Sequence, residues 1–190
     1  MSDGGAHAPG PALAIVELAS IARGHRVADA MCKRAPVRLM RADAISPGKF
    51  VVLVEGDVAA VDESFRVGTD VAADRAVDKL FLPQPHAGLW PAIAGEANAR
   101  AGVESLGVVE TTTVAATVRA ADAALKAARV AVTEMQLGRG IGGKAFFTVT
   151  GPLAEVEAAV DAAVGVIEPA LVHTIEIIAA PHADLVARLR

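Results

Sequence analysis

The sequence predicts an α+β fold made twice over, as two consecutive β-α-β-β-α-β units in one chain of 190 residues. Three observations carry this: an internal repeat, the same order of strand-like and helix-like stretches in both copies, and glycine or proline breaks at matching places. Sliding residues 12–37 by 93 positions gives eleven identities in 26, among them Leu13 with Leu106, Val16 with Val109, Glu17 with Glu110 and Arg26 with Arg119. The run Ala28-Asp29-Ala30 recurs as Ala121-Asp122-Ala123, followed by Lys33 with Lys126. After a two-residue insertion Lys49, Val54, Gly56, Ala59 and Val61 match Lys144, Val149, Gly151, Ala154 and Val156. One more residue of slip sets Pro85-His86 on Pro181-His182. The copies run over 12–93 and 105–190, after a flexible N-terminal tail at 1–11 and across an Ala/Gly-rich linker at 94–104.

Each copy opens with a short apolar strand, LAIVEL or LGVVET, and Ser20 or Thr113 then stands where a helix N-cap belongs. On the second-copy helix Val114, Val118, Ala121, Leu125 and Ala128 share one stripe, which predicts a buried face. The first copy carries Ile21, His25, Ala28, Cys32 and Ala35 at the same spacing, so Cys32 takes the slot of Leu125 and is expected in the core. VRLMRADAI with KFVVLVE, and VAVTEMQL with KAFFTVT, alternate and branch like hairpin strands. A second helix starts at Asp57 in the first copy, and in the second after Gly151, with Pro152 at its first position. VDKLFLPQ and VHTIEIIAA close the copies as last strands, giving the ferredoxin-like order twice.

The stretch GRGIGGKAFF, residues 138–147, falls one residue short of a phosphate-binding loop. Gly138, Gly143 and Lys144 fit G-x-x-x-x-G-K, but Ala145 replaces the hydroxyl residue and a strand follows instead of a helix N-terminus. These glycines therefore read as the turn of the second hairpin. A net charge of −4 without a Lys/Arg cluster leaves no footprint for nucleic acid. No apolar run reaches the roughly 18 residues of a membrane span. The start, MSDGGAHAPGP, lacks the basic and apolar regions of a signal peptide, and the single cysteine fits a reducing cytoplasm.

Taken together, VADAMCKRAPV, ISPGKFVVLVEGDVAAV and the final Pro-His resemble the bacterial microcompartment shell domain. Two unpermuted copies are similar to the tandem-domain, trimer-forming shell proteins, and above all to the propanediol-utilisation type with an iron–sulfur cluster at its pore. The stretches that carry this are Ser-Pro-Gly-Lys-Phe at 46–50, Gly-Ile-Gly-Gly-Lys at 140–144 and His-Ala-Gly-Leu-Trp-Pro-Ala-Ile at 86–93. The resemblance implies a structural shell tile: a homotrimer forming a pseudohexamer that joins other shell hexamers and pentamers, with a central pore for small polar metabolites. It further implies a cytoplasmic microcompartment location, no catalysis, and neither a nucleic-acid nor a membrane partner.

By the same resemblance Ser46, Pro47, Gly48, Arg139, Gly140, Ile141, Gly142 and Gly143 line the pore. Asp29, Lys33, His86, Asp122, Lys126 and His182 make tile-edge contacts, while the arginine common before the last Pro-His is replaced by Gln84 and Ala180. Ser46 stands where the cluster-bearing members have their ligating cysteine, and serine is no soft ligand, so neither cofactor nor metal is expected. Arg139 either adds a ring of positive charge at the mouth or is a solvated turn residue turned away from the axis. No catalytic set is legible, since Asp57, Asp62 and Glu63 belong to a helix start and its exposed face. Tandem ferredoxin-like domains also serve as small-ligand-binding regulatory proteins, the alternative reading.

Overall fold

The computed structural model describes residues 9–96 and 103–189. The first unit comprises β1 (Ala12–Leu18), α1 (Ile21–Arg34), β2 (Arg38–Ile45), β3 (Lys49–Gly56), α2 (Val58–Ala72) and β4 (Ala76–Pro83). A short α3 (Leu89–Ala94) precedes β5 (Ser105–Thr111), α4 (Val114–Ala127), β6 (Ala131–Leu137), β7 (Ala145–Gly151), α5 (Leu153–Gly165), β8 (Val172–Ala179) and α6 (Ala183–Val186). Ser20 and Thr113 cap the first helix of each unit, their side-chain oxygens accepting the Arg23 and Ala116 backbone N–H groups at 3.3 and 3.2 Å. The two antiparallel sheets have strand orders β2-β3-β1-β4 and β6-β7-β5-β8, which is the ferredoxin-like order in both units.

Alternation along β1 sends side chains to two different cores. Ala14, Val16 and Leu18, opposite Val54, Val52 and Phe50, face the unit's own helices and pack with Val27, Met31 and Val61. Leu13 and Ile15, with Val51, Leu53 and Leu80, lie on the outer face and join α4 of the second unit in another buried cluster. Helix α4 therefore sits between two sheets, against β1 and β4 on one side and β5, β6 and β7 on the other.

That placement corrects the stripe expected on α1. Its buried residues are Gly24, Val27, Ala28 and Met31, whereas Ile21, His25 and Cys32 are exposed. Only one sheet covers α1, and it takes the face around Met31. The matching stripe on α4, Val114, Val118 and Leu125, is buried because the first unit's sheet lies over it. Cys32 is thus a surface thiol within this chain, not a core residue. Burial together with the nearby Asp29 charge raises its pKa.

Smaller differences sit at element ends. Pro152 is the N-cap residue of α5, one place before the first helical position, and Asp57 precedes α2 without a side-chain capping bond. Neither α3 nor α6 is signalled by periodicity. Residues 1–8 of the expected tail and 97–102 of the expected linker lie outside the described residues. The end of the tail is tied down, because the Gly10 N–H donates to Glu55 at 2.7 Å and Pro11 accepts the Gln84 N–H at 2.7 Å.

Candidate functional site: paired hairpin loops and the seam between domains

The β2–β3 and β6–β7 turns come together at one end of the molecule. Gly48, Gly140 and Gly142 have φ of 90°, 73° and 67°, and a Cβ at any of them would meet nothing within 4 Å. These three form the open rim of the loops. Gly143, with φ of 79°, is different: a Cβ there would run into the Ser46 carbonyl and lie 2.6 Å from Pro47 Cδ. Ser46 and Pro47 of one loop therefore rest directly on Gly143 of the other.

Arg139 turns back from this rim. Its guanidinium pairs with Asp43 on β2 at 3.0 Å, and Asp43 also holds Arg41 at 2.9 Å. Burial works to raise the Asp43 pKa, but the two arginines outweigh it and hold the carboxyl below its ordinary value. Arg41 in turn donates to the Leu137 carbonyl at 3.2 Å, which binds the two hairpins together.

Below the loops lies an ion pair with no exposed carboxylate. Glu17 on β1 is fully buried, and its Oε1 accepts Lys49 Nζ at 2.9 Å. Its Oε2 accepts the Val114 N–H at 2.7 Å, so the carboxylate also occupies the N-terminus of α4, where the helix dipole favours negative charge. Lys49 donates further to the carbonyls of Thr112 at 3.1 Å and Gly143 at 3.2 Å. Desolvation leaves the Glu17 pKa raised although Lys49 and the α4 backbone pull the other way.

Three more bonds sew the first unit to α4. Thr113 Oγ1 donates to Asp78, Arg119 donates to the Lys79 carbonyl at 2.9 Å, and Asp122 accepts the His86 N–H at 2.7 Å. Asp122 also binds Lys126 at 2.6 Å and is itself buried. Its counterpart Asp29 pairs with Lys33 at 2.8 Å, fully in solvent. His86 and His182 each turn Nδ1 onto a following backbone N–H, of Gly88 at 3.1 Å and Asp184 at 3.2 Å. Among the described residues no group of three or more His, Cys, Asp or Glu is placed to hold a metal ion.

The sequence pointed to the loops but passed over Glu17, Lys49, Asp43 and Asp78, which fix where the loops stand. The signal for the first two was present, since both are identities of the repeat, with Glu110 and Lys144. In the second unit Lys144 pairs with Glu110, and His173 Nε2 lies 3.6 Å from the same carboxylate.

Comparison with known proteins places this architecture. The BMC domain family matches residues 12–85 and again 105–181. The bacterial microcompartment shell protein PduT of Citrobacter freundii is 43% identical over 152 residues, 80% of this chain and 82% of that protein. The carboxysome shell protein CsoS1C of Hydrogenovibrio crunogenus is 35% identical over 89 residues, 45% of this chain and 86% of its own length. A crystal structure of a microcompartment protein from Desulfitobacterium hafniense superposes with a TM-score of 0.81 at 40% identity, covering 92% of this chain and 97% of that one. Nothing in these matches supports the small-ligand regulatory alternative, and the family is structural rather than catalytic. No helix among the described residues is long and apolar enough to cross a membrane. With two domains in unpermuted order, the chain belongs to the BMC domain family as a structural shell protein of bacterial microcompartments.

Proposed function

We propose that the chain assembles head to tail into a homotrimer, a pseudohexagonal tile whose centre is a pore ringed by the paired hairpin loops. The observation that supports this is an unequal burial of equivalent surfaces. The outer face of the first sheet is covered by α4, but the same face of the second sheet is open: Val108 and Phe146 are part-exposed and Glu176 exposed, where Ile15, Val51 and Leu80 are buried. The outer stripe of α1, equivalent to the buried stripe of α4, is open as well. One chain thus ends in an uncovered sheet and begins with an uncovered helix. A heterologous contact of this kind makes a ring if its rotation closes, and six domains in pairs close with three chains.

Repeating the internal seam between chains brings the α1 N-terminus onto Glu110, Arg26 onto the Ile175 carbonyl and Asp29 onto the His182 N–H. Ser46, Pro47, Gly48, Gly140, Ile141, Gly142 and Gly143 then border a narrow passage suited to small polar metabolites. Arg139, paired with Asp43, contributes little free positive charge to it. Lys33 and Lys126 stand at the tile border, where neighbouring shell components meet the trimer in the cytoplasm. The tile carries out no reaction of its own. Where cluster-bearing relatives have a thiolate, Ser46 offers a hydroxyl, and the single cysteine lies on α1; this donor set does not fit an iron–sulfur cluster.

Sedimentation at micromolar concentration, followed by electron microscopy with partner shell proteins, tests the reading. Trimers that build flat hexagonal tiles or closed shells are expected, and a monomer would overturn the ring.

A further inference from the structure

The seam inside the chain and the seam between chains use the same elements with different side chains. Inside the chain, Leu80 of β4 and Val118 of α4 belong to one buried apolar cluster. The bond from Arg119 to the Lys79 carbonyl joins the residues next to this pair on helix and strand, and Thr113 to Asp78 ties the same two elements together. In the repeat Leu80 corresponds to Glu176, opposite Val108 as Leu80 is opposite Ile15. Val118 corresponds to His25. Both replacements are exposed in the single chain, and both are ionisable.

Resting on the head-to-tail trimer, we infer that each seam between chains sets His25 of one chain against Glu176 of the next, and that the seam tightens when the imidazole takes up a proton. A carboxylate withdrawn from water by assembly needs a partner, and a cationic imidazole is one. The charged groups around His25 on its own helix are Arg26 and Asp29, the latter paired with Lys33. From β3 of its own chain comes only the uncharged Phe50 ring, at a centroid distance of 4.8 Å. From the next chain come Glu176 and Thr174 on β8, and Glu110 on β5, already engaged by Lys144 and flanked by His173. Among the described residues Glu176 is the carboxylate of this set with no cation paired to it inside the chain, and the seam supplies one.

The direction follows from linkage. Glu176 holds the His25 proton more tightly in the trimer than in the free chain, so assembly is favoured below histidine's ordinary value of about 6.5 and weakens as pH rises through the raised value. Each unit by which the pair raises that value strengthens one seam about tenfold.

The test compares trimer dissociation by sedimentation at about pH 6 and about pH 8, on either side of histidine's usual range. The wild-type chain is expected to hold together at concentrations at least about tenfold lower on the acid side. His25→Val with Glu176→Leu, which writes the internal Val118 and Leu80 pair into the seam, is expected to lose that difference, whereas His173→Gln keeps it. In a Cys32→Ala background, His25→Cys with Glu176→Cys is expected to give chain-to-chain disulfides on oxidation. Unchanged pH dependence in the Val/Leu variant, or failure to crosslink, overturns the pair. A wild-type trimer equally stable at both pH values also overturns it while leaving the trimer standing; a monomer at both overturns the trimer as well.

Discussion

Gly143 carries two constraints where its neighbour Gly142 carries one. Both need positive φ, at 79° and 67°, but only at Gly143 would a Cβ strike the backbone of Ser46. Gly142→Ala is expected to cost about 1 kcal/mol for the strained backbone, and Gly143→Ala about 3 kcal/mol, as denaturant unfolding would measure. Equal losses would mean that the loops do not touch. The buried Glu17 and the half-buried Asp43 act in opposite directions with pH. Glu17, whose pKa is raised, contributes stability that is complete below its ordinary value and lost as pH rises through the raised one. Asp43, whose pKa is lowered, contributes stability present above its ordinary value and lost as pH falls through the depressed one. Carbon-detected NMR titration is expected to find Asp43 ionising first and Glu17 last. The turn glycines were legible in the sequence because left-handed backbone selects for glycine. Which glycine a Cβ would drive into Ser46 and Pro47 was not, since that depends on a contact across 96 or 97 residues of chain.

At the scale of elements, α1 and α4 separate what a pattern encodes from what an environment decides. Their stripes have the same spacing, yet Leu125 is buried and Cys32, in the same slot, is exposed. Leu125→Ala is expected to lower the unfolding free energy by about 3 kcal/mol through lost burial and a cavity. Cys32→Ala should change it by less than about 0.5 kcal/mol under conditions where chains are dissociated. A thiol reagent completes the comparison: Cys32 should label in dissociated chains and be protected on assembly. The order of strands and helices was legible because alternation and helical spacing are local properties. Burial of the α1 stripe was misread because periodicity reports that a face is apolar, not which neighbour covers it. Helix α3 escaped because six residues, LWPAIA, include a proline and span too few turns for a period to develop. Its Leu89 and Ala92 are nevertheless buried in the cluster between the domains.

For the whole molecule, the two lysines proposed for the tile border are not equivalent. Lys33 meets Asp29 in open solvent, whereas Lys126 holds an aspartate that is buried at the domain seam and also binds the His86 N–H. Lys33→Ala is expected to leave trimers intact and to reduce lateral sheets in electron micrographs, an exposed pair being worth well under about 1 kcal/mol to the fold. Trimers that fall apart instead would move Lys33 from the tile border to the ring seam. The outer faces of the two sheets carry a further consequence, one of timing. The first face, with Leu53 and Leu80, is covered by its own chain as soon as that chain has folded. The second, with Glu176 at the place of Leu80, stays in water until, in the proposed trimer, another chain arrives. An oily patch left waiting invites promiscuous sticking while the protein is dilute and newly made. In the proposed ring, fusing two domains removes that hazard from half of the seams, freeing one face to be greasy while its twin stays wettable.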